Sequence, residues 1–211
     1  METTLLDQII LLLTGLTAVY LIFRFIQALK GTTKKTKYFY HYILSFAVLF
    51  VSGVLIVLFD FAILARPEIK IVATLIPFGI ATGLMCQFYQ NYAKPYVLFL
   101  LLGFVLIVLL NYGVLDTKLI YPIFHSIAGL TIFFVPIIAV KNKGADKGFI
   151  WVTVGGALIG IGGIALAFLG TGTPLLGIFT AEVVFTILSP ILLLMTLAYT
   201  WGFMKNMSNT K

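Results

Sequence analysis

Seven long apolar stretches, each parted from the next by a few polar residues, run the length of the chain. They cover residues 5–29, 38–65, 69–93, 96–115, 119–140, 149–169 and 175–204. Each is long enough to cross a hydrocarbon layer about 30 Å thick at about 1.5 Å per helical residue. None shows the roughly ten-residue alternation of apolar and polar side chains that a barrel strand requires. The pattern predicts an all-α, seven-helix polytopic bundle. The connecting segments KGTTKKTK, ARPE, AKP, DTK, KNKGADKG and GTGTP leave no room for a soluble domain, so residues 1–211 read as a single membrane domain.

Composition agrees with the pattern. Of 211 residues, 61% are hydrophobic and 10% charged, against about half and about a quarter in soluble domains. Mean hydropathy is +1.13. The opening METTLLDQIILLL carries Glu2 and Asp7, lacks a basic leader region, and reads as a first span and not as a cleaved signal. A single cysteine, Cys86, excludes an intramolecular disulfide and a zinc or iron–sulfur site built on cysteines.

Charge sets an expected orientation. Arg24, Lys30, Lys34, Lys35, Lys37, Lys94, Lys141, Lys143, Lys147, Lys205 and Lys211 fall on one side, and Arg66, Lys70 and Lys118 on the other, 11 against 3. Positive-inside bias puts the N-terminus outside and the C-terminus in the cytoplasm, in an integral protein of the plasma membrane. Of the seven acids, Asp146 alone lies in a cytoplasmic loop. The net charge of +7 is therefore a topology signal with attraction to anionic lipid, not a nucleic-acid footprint.

An internal repeat is legible. Gly15-Leu16-Thr17 matches Gly129-Leu130-Thr131, Ala47 and Gly53 match Ala157 and Gly163, and Leu75 and Pro77 match Leu188 and Pro190, at offsets of 114, 110 and 113. Paired spans run in the same direction, so the expectation is a parallel three-plus-one-plus-three repeat with the fourth span as linker. The layout is similar in topology to microbial rhodopsins and to small sugar transporters with a three-one-three arrangement. A retinal pigment is disfavoured, because GIFTAEVVFTILSPILLLMTLAYTWGF in the last span has no lysine for a Schiff base.

Candidate chemistry rests on ionisable residues inside the spans, each costing at least about 2.5 kcal/mol to insert. Asp60, His125 and Glu182 come out about 13, 7 and 10 Å outward of the midplane at the helical rise, with Asp7 nearer the surface. One imidazole and two carboxylates at a common level suit a ligand- or proton-binding site, or a transition-metal site for zinc, copper, iron or manganese. The competing reading of His125 is a packing residue bonded to a neighbouring helix. His41 lies about 15 Å on the other side of the midplane, so the two histidines do not share one haem, and it reads with Tyr38, Phe39, Tyr40 and Tyr42 as an interfacial belt. Gln87, Tyr89, Gln90, Asn91 and Tyr92 close the third span at the cytoplasmic side. Gly156, Gly160 and Gly163 form a small-residue helix-packing face. Pro77 and Pro190 are expected hinges.

No nucleophile elbow, HExxH, P-loop or paired-acid signature is present; a non-enzymatic role is favoured, with an intramembrane hydrolase using His125 with Asp60 or Glu182 left open. Three further functions stay open. The first is a binding or transport protein for a proton, metal ion or small solute, using Asp60, His125 and Glu182. The second is a non-catalytic subunit of a larger membrane complex. The third is a haem- or metal-binding redox protein at His125. Partners are the lipid bilayer, other membrane subunits or further copies of the chain.

Overall fold

The computed structural model describes residues 2–30, 37–117, 119–178 except 171–176, and 180–208, with side chains 164–170 left aside. The basic residues Lys34, Lys35, Lys118 and Lys211 of the orientation argument lie outside the described residues. All regular structure described is helical.

The helices are α1 (Leu5–Lys30), α2 (Tyr38–Phe59), α3 (Pro67–Ala73), α4 (Leu75–Phe88), α5 (Gln90–Asn111), α6 (Ile120–Asn142), α7 (Ile150–Gly170) and α8 (Ala181–Ser208). Six spans among the described residues are long and apolar enough to cross a membrane, with α3 and α4 together making one; the described part of α7 is a shorter apolar helix. The described residues form an all-helical bundle whose long helices have the length and composition of membrane spans.

Boundaries differ from the apolar pattern where backbone chemistry intervenes. The second span ends at Phe59, not at residue 65, and Phe61–Ala65 is a separate 3-10 turn. The third is interrupted at Thr74, whose hydroxyl donates to the Ile71 carbonyl at 2.7 Å. Pro77, three residues on, has no N–H to continue the ladder across that break. It therefore sits in the first turn of α4, where proline is tolerated. The fourth span starts at Gln90, because the chain turns at the single residue Tyr89 (φ −135°, ψ 55°). Gln90, Asn91 and Tyr92 thus open α5 and do not close the third span.

Packing closes a ring. α1 lies against α2 and α8, α2 against α4, α4 against α6, α6 against α7 and α7 against α8, while α5 packs outside on α4 and α6. In lipid no water-driven force holds helices together, so close fit and interhelical hydrogen bonds do. The fit is tightest at glycines. A Cβ on Gly79 would lie 2.1 Å from Ser45 Oγ and 2.8 Å from the His41 carbonyl oxygen, so α4 touches the α2 backbone. Gly155 of α7 leaves room for the Tyr199 ring, and Gly202 of α8 lies against the Val152 backbone.

One end of the bundle is filled by aromatic rings. Phe25 meets Phe39, Tyr42, Phe46 and Phe203 at centroid distances of 5.4, 5.4, 6.0 and 5.3 Å. Tyr199 and Phe149 extend the cluster, and Tyr42 donates to Gln87 Oε1 at 2.8 Å. This plug lies at the end carrying the C-terminus of α8. At the opposite end a smaller cluster of Leu11, Ile56, Phe61 and Leu188 remains.

Candidate functional site

Two separate groupings of polar residues lie toward the opposite end. The first is built on the start of α1. Thr4 precedes the helix and Asp7 ends its first turn, the spacing of a capping box. The Asp7 amide donates to Thr4 Oγ1 at 3.1 Å, and Asp7 Oδ2 accepts from the Thr4 amide at 3.0 Å and its hydroxyl at 2.7 Å. The other oxygen, Oδ1, accepts from the buried hydroxyl of Ser189 on α8, immediately before Pro190.

Asp60 joins the same cluster from the end of α2. Its Oδ1 accepts from the Thr3 amide and the Thr3 hydroxyl, both at 2.7 Å, and Gln8 Nε2 donates to that hydroxyl at 3.2 Å. The two Thr3 hydrogen bonds, the amide's first, hold the Asp60 carboxyl below its ordinary range. Asp60 also adopts φ 60°, ψ 177°, backbone territory that is essentially glycine's. Its side-chain bonds thus oppose a strained main chain.

The second site is His125, on the second turn of α6. Its ring stacks on Tyr121, one turn earlier, at 5.4 Å and 16°. Its Nε2 faces α7, where a Cβ on Gly163 would stand 3.4 Å away. Its Nδ1 is buried and has no hydrogen-bond partner among the described residues. Buried polar atoms without a partner are rare, and this one lies inside a span.

The expected triad does not assemble as a ligand set. Among the described residues no three His, Cys, Asp or Glu side chains come together to hold a metal ion. Equal depth places residues on a common level but says nothing of helix facing. Asp60 is turned to Thr3, His125 lies in the α6–α7 seam, and Glu182 stands exposed in the first turn of α8, where a carboxylate complements the helix dipole.

Glycine and proline roles also divide. Gly156 meets Ile132 of α6 and Gly163 meets His125, but a Cβ on Gly160 would find nothing within 4 Å among the described residues. Close approach on α7 rests instead on Gly156 and its neighbour Gly155. Pro190 lies inside an unbroken α8, beside the Asp7–Ser189 bond. That bond is the feature the apolar pattern hid. The Thr-x-x-Asp spacing signals the cap, but nothing in the sequence signals Ser189 as the partner.

No protein-family model, curated protein or solved structure matches the chain.

Proposed function

We propose that the chain is a small carrier that binds and passes a proton or small solute. Entry is from the outer half of a bundle made of two three-span halves. The first half is α1–α4, the second is α6–α8, and α5 links them. The N-terminus lies outside, as the basic residues indicate. One observation carries the reading: His125 is ionisable, lies within a span and keeps a buried Nδ1 with no partner among the described residues. A histidine kept only for packing would satisfy that nitrogen, whereas one that takes up and releases a proton needs it open.

The repeat is supported by burial as well as by letters. An offset of 114 sets Thr14, Ala18, Leu21 and Phe25 of α1 on Ala128, Ile132, Val135 and Ala139 of α6, and all eight are buried. An offset of 110 sets Phe39, Tyr42, Ser45 and Phe46 on Phe149, Val152, Gly155 and Gly156, again all buried. The atom nearest a Cβ on Gly53 is the Leu11 carbonyl oxygen at 3.9 Å, and the atom nearest one on Gly163 is His125 Nε2 at 3.4 Å. His125 therefore stands where the first half has Leu11. The two halves share a frame, and the second has a titratable ring in place of an aliphatic residue.

The halves meet at the α1–α8 and α4–α6 seams. The Asp7–Ser189 bond crosses the first, and the aromatic plug closes the cytoplasmic half. This is the arrangement of a carrier occluded toward the cytoplasm, with a breakable polar tie on the outer side.

The test is proton flux into liposomes loaded with a pH-sensitive dye under an imposed membrane potential. The chain should acidify the lumen, and His125→Ala and His125→Phe should reduce the flux to that of protein-free vesicles. Vesicles no leakier than empty ones, or flux unchanged in both variants, would overturn the reading.

A further inference from the structure

The end of the bundle bearing the α6–α7 turn and the end of α8 carries a cluster of cations that the proton-binding reading does not use. Lys141, Lys143, Lys147 and Lys205 are all exposed there. Two of them are held over aromatic rings. Lys143 Nζ lies 5.0 Å from the Tyr89 centroid and Lys205 Nζ lies 4.9 Å from that of Trp201.

The scaffold beneath is fixed. Gly144 supplies the positive φ of 71° that lets the chain leave α6. Asp146 Oδ1 accepts from the Gly148 amide at 2.7 Å, and the Asp146 amide donates to Asn206 of α8 at 3.3 Å. Phe149 is buried between Phe88 and Phe203. Gly148 has no side chain, so the stem of Lys205 crosses the turn directly; a Cβ there would stand 2.7 Å from Lys205 Cγ. The one acid in the cluster, Asp146, caps the turn, so four lysines face one carboxylate already engaged.

We infer that this cluster is a seat for the phosphate headgroup of an anionic phospholipid. The level of the patch decides the partner. Exposed Trp151 and Trp201 lie at the same end, and the apolar Leu194 and Leu197 are exposed along α8 toward the bilayer interior. Tryptophan between an apolar flank and a cationic turn marks headgroup depth. An ammonium held over a ring has lost part of its rotamer freedom before it meets a phosphate, and its remaining N–H donors stay available. The opposite end carries Asp7, Asp60, Glu68, Asp116 and Glu182, so the attraction is confined to one end.

The two tryptophans, Trp151 and Trp201, are the only ones in the chain and report on this end. The full chain is reconstituted in phosphatidylcholine vesicles containing phosphatidylglycerol, with either lipid brominated in turn. Tryptophan quenching then gives the relative affinity of the two headgroups. The expected preference for phosphatidylglycerol is about fivefold or more, the share of a single lysine at an anionic surface. The quadruple variant K141Q/K143Q/K147Q/K205Q should bring the ratio to about one, and Lys70→Gln, at the other end, should leave it in place. Equal quenching by both lipids in the parent chain, or a preference retained in the quadruple variant, would overturn the inference. So would loss of the preference on adding inorganic phosphate but not chloride at the same ionic strength, since the seat would then be for free phosphate. The readout is independent of proton flux, so it stands or falls apart from the role of His125.

Discussion

Gly79→Ala tests the central packing claim. The added methyl carbon would stand 2.1 Å from Ser45 Oγ and 2.8 Å from the His41 carbonyl oxygen. The serine hydroxyl can rotate away, but only by giving up its bonds to the His41 and Leu75 carbonyls at 3.0 and 3.3 Å. The His41 oxygen belongs to the α2 backbone, so relief there means moving one helix by several tenths of an ångström. Overpacking of this kind costs about 1–3 kcal/mol, and the lost interhelical hydrogen bond adds about 0.6 kcal/mol in a membrane protein. Alanine returns at most about 1 kcal/mol of helix propensity. The net expectation is destabilisation of about 1–3 kcal/mol, read as reversible unfolding in mild detergent. Gly160→Ala is the matched control, because nothing among the described residues lies within 4 Å of its Cβ, and it should be neutral or slightly stabilising. Adding Ser45→Ala to Gly79→Ala should recover part of the loss but not all, because the backbone contact remains. Equal stability of the Gly79→Ala and Gly160→Ala proteins would refute the close α2–α4 crossing and the helix ring that depends on it.

Three further predictions follow from other contacts. Because Thr3 holds the Asp60 carboxyl below its ordinary range, the N-terminal anchor is complete above the unfolded carboxylate value of about 3.9 and is lost as pH falls through the lowered folded-state value. The Thr3 amide resonance should titrate with a midpoint below that ordinary value and should lose this titration in Asp60→Asn; a midpoint at or above it would exclude the anchor. Phe25→Ala removes a ring that meets four others and should fall toward the low end of the about 3–5 kcal/mol typical of buried phenylalanine, since lipid, not water, solvates the separated helices. A loss no larger than for exposed Phe23→Ala would count against the plug. Thr153→Val removes the 2.8 Å hydroxyl bond from α7 to the Phe133 carbonyl of α6 and should cost about 0.6 kcal/mol, at most about 1.7; no change in unfolding would place that seam apart.

The sequence by itself determined the class of the protein. Apolar runs of span length admit one solvent, and a backbone in that solvent must satisfy itself as helix. That physics is local, which is why the helices fall close to where the pattern sets them. Local backbone chemistry moved the ends: the stop at Asp60, the break at Thr74 and the one-residue turn at Tyr89. The Thr4-x-x-Asp7 spacing carries a capping signal of the same local kind, which the apolar pattern passed over. Which side chains meet was not legible. Depth follows from counting residues along a helix, but facing depends on how each helix is rotated against its neighbours. Thus Asp60, His125 and Glu182 share a level and yet go to Thr3, to the α6–α7 seam and to an exposed turn. Asp7 finds Ser189 across a separation of 182 residues. Tertiary packing alone decided that pairing, because in a bilayer the rotation of a helix is set by where glycine lets its neighbour approach and where a buried polar atom finds a partner.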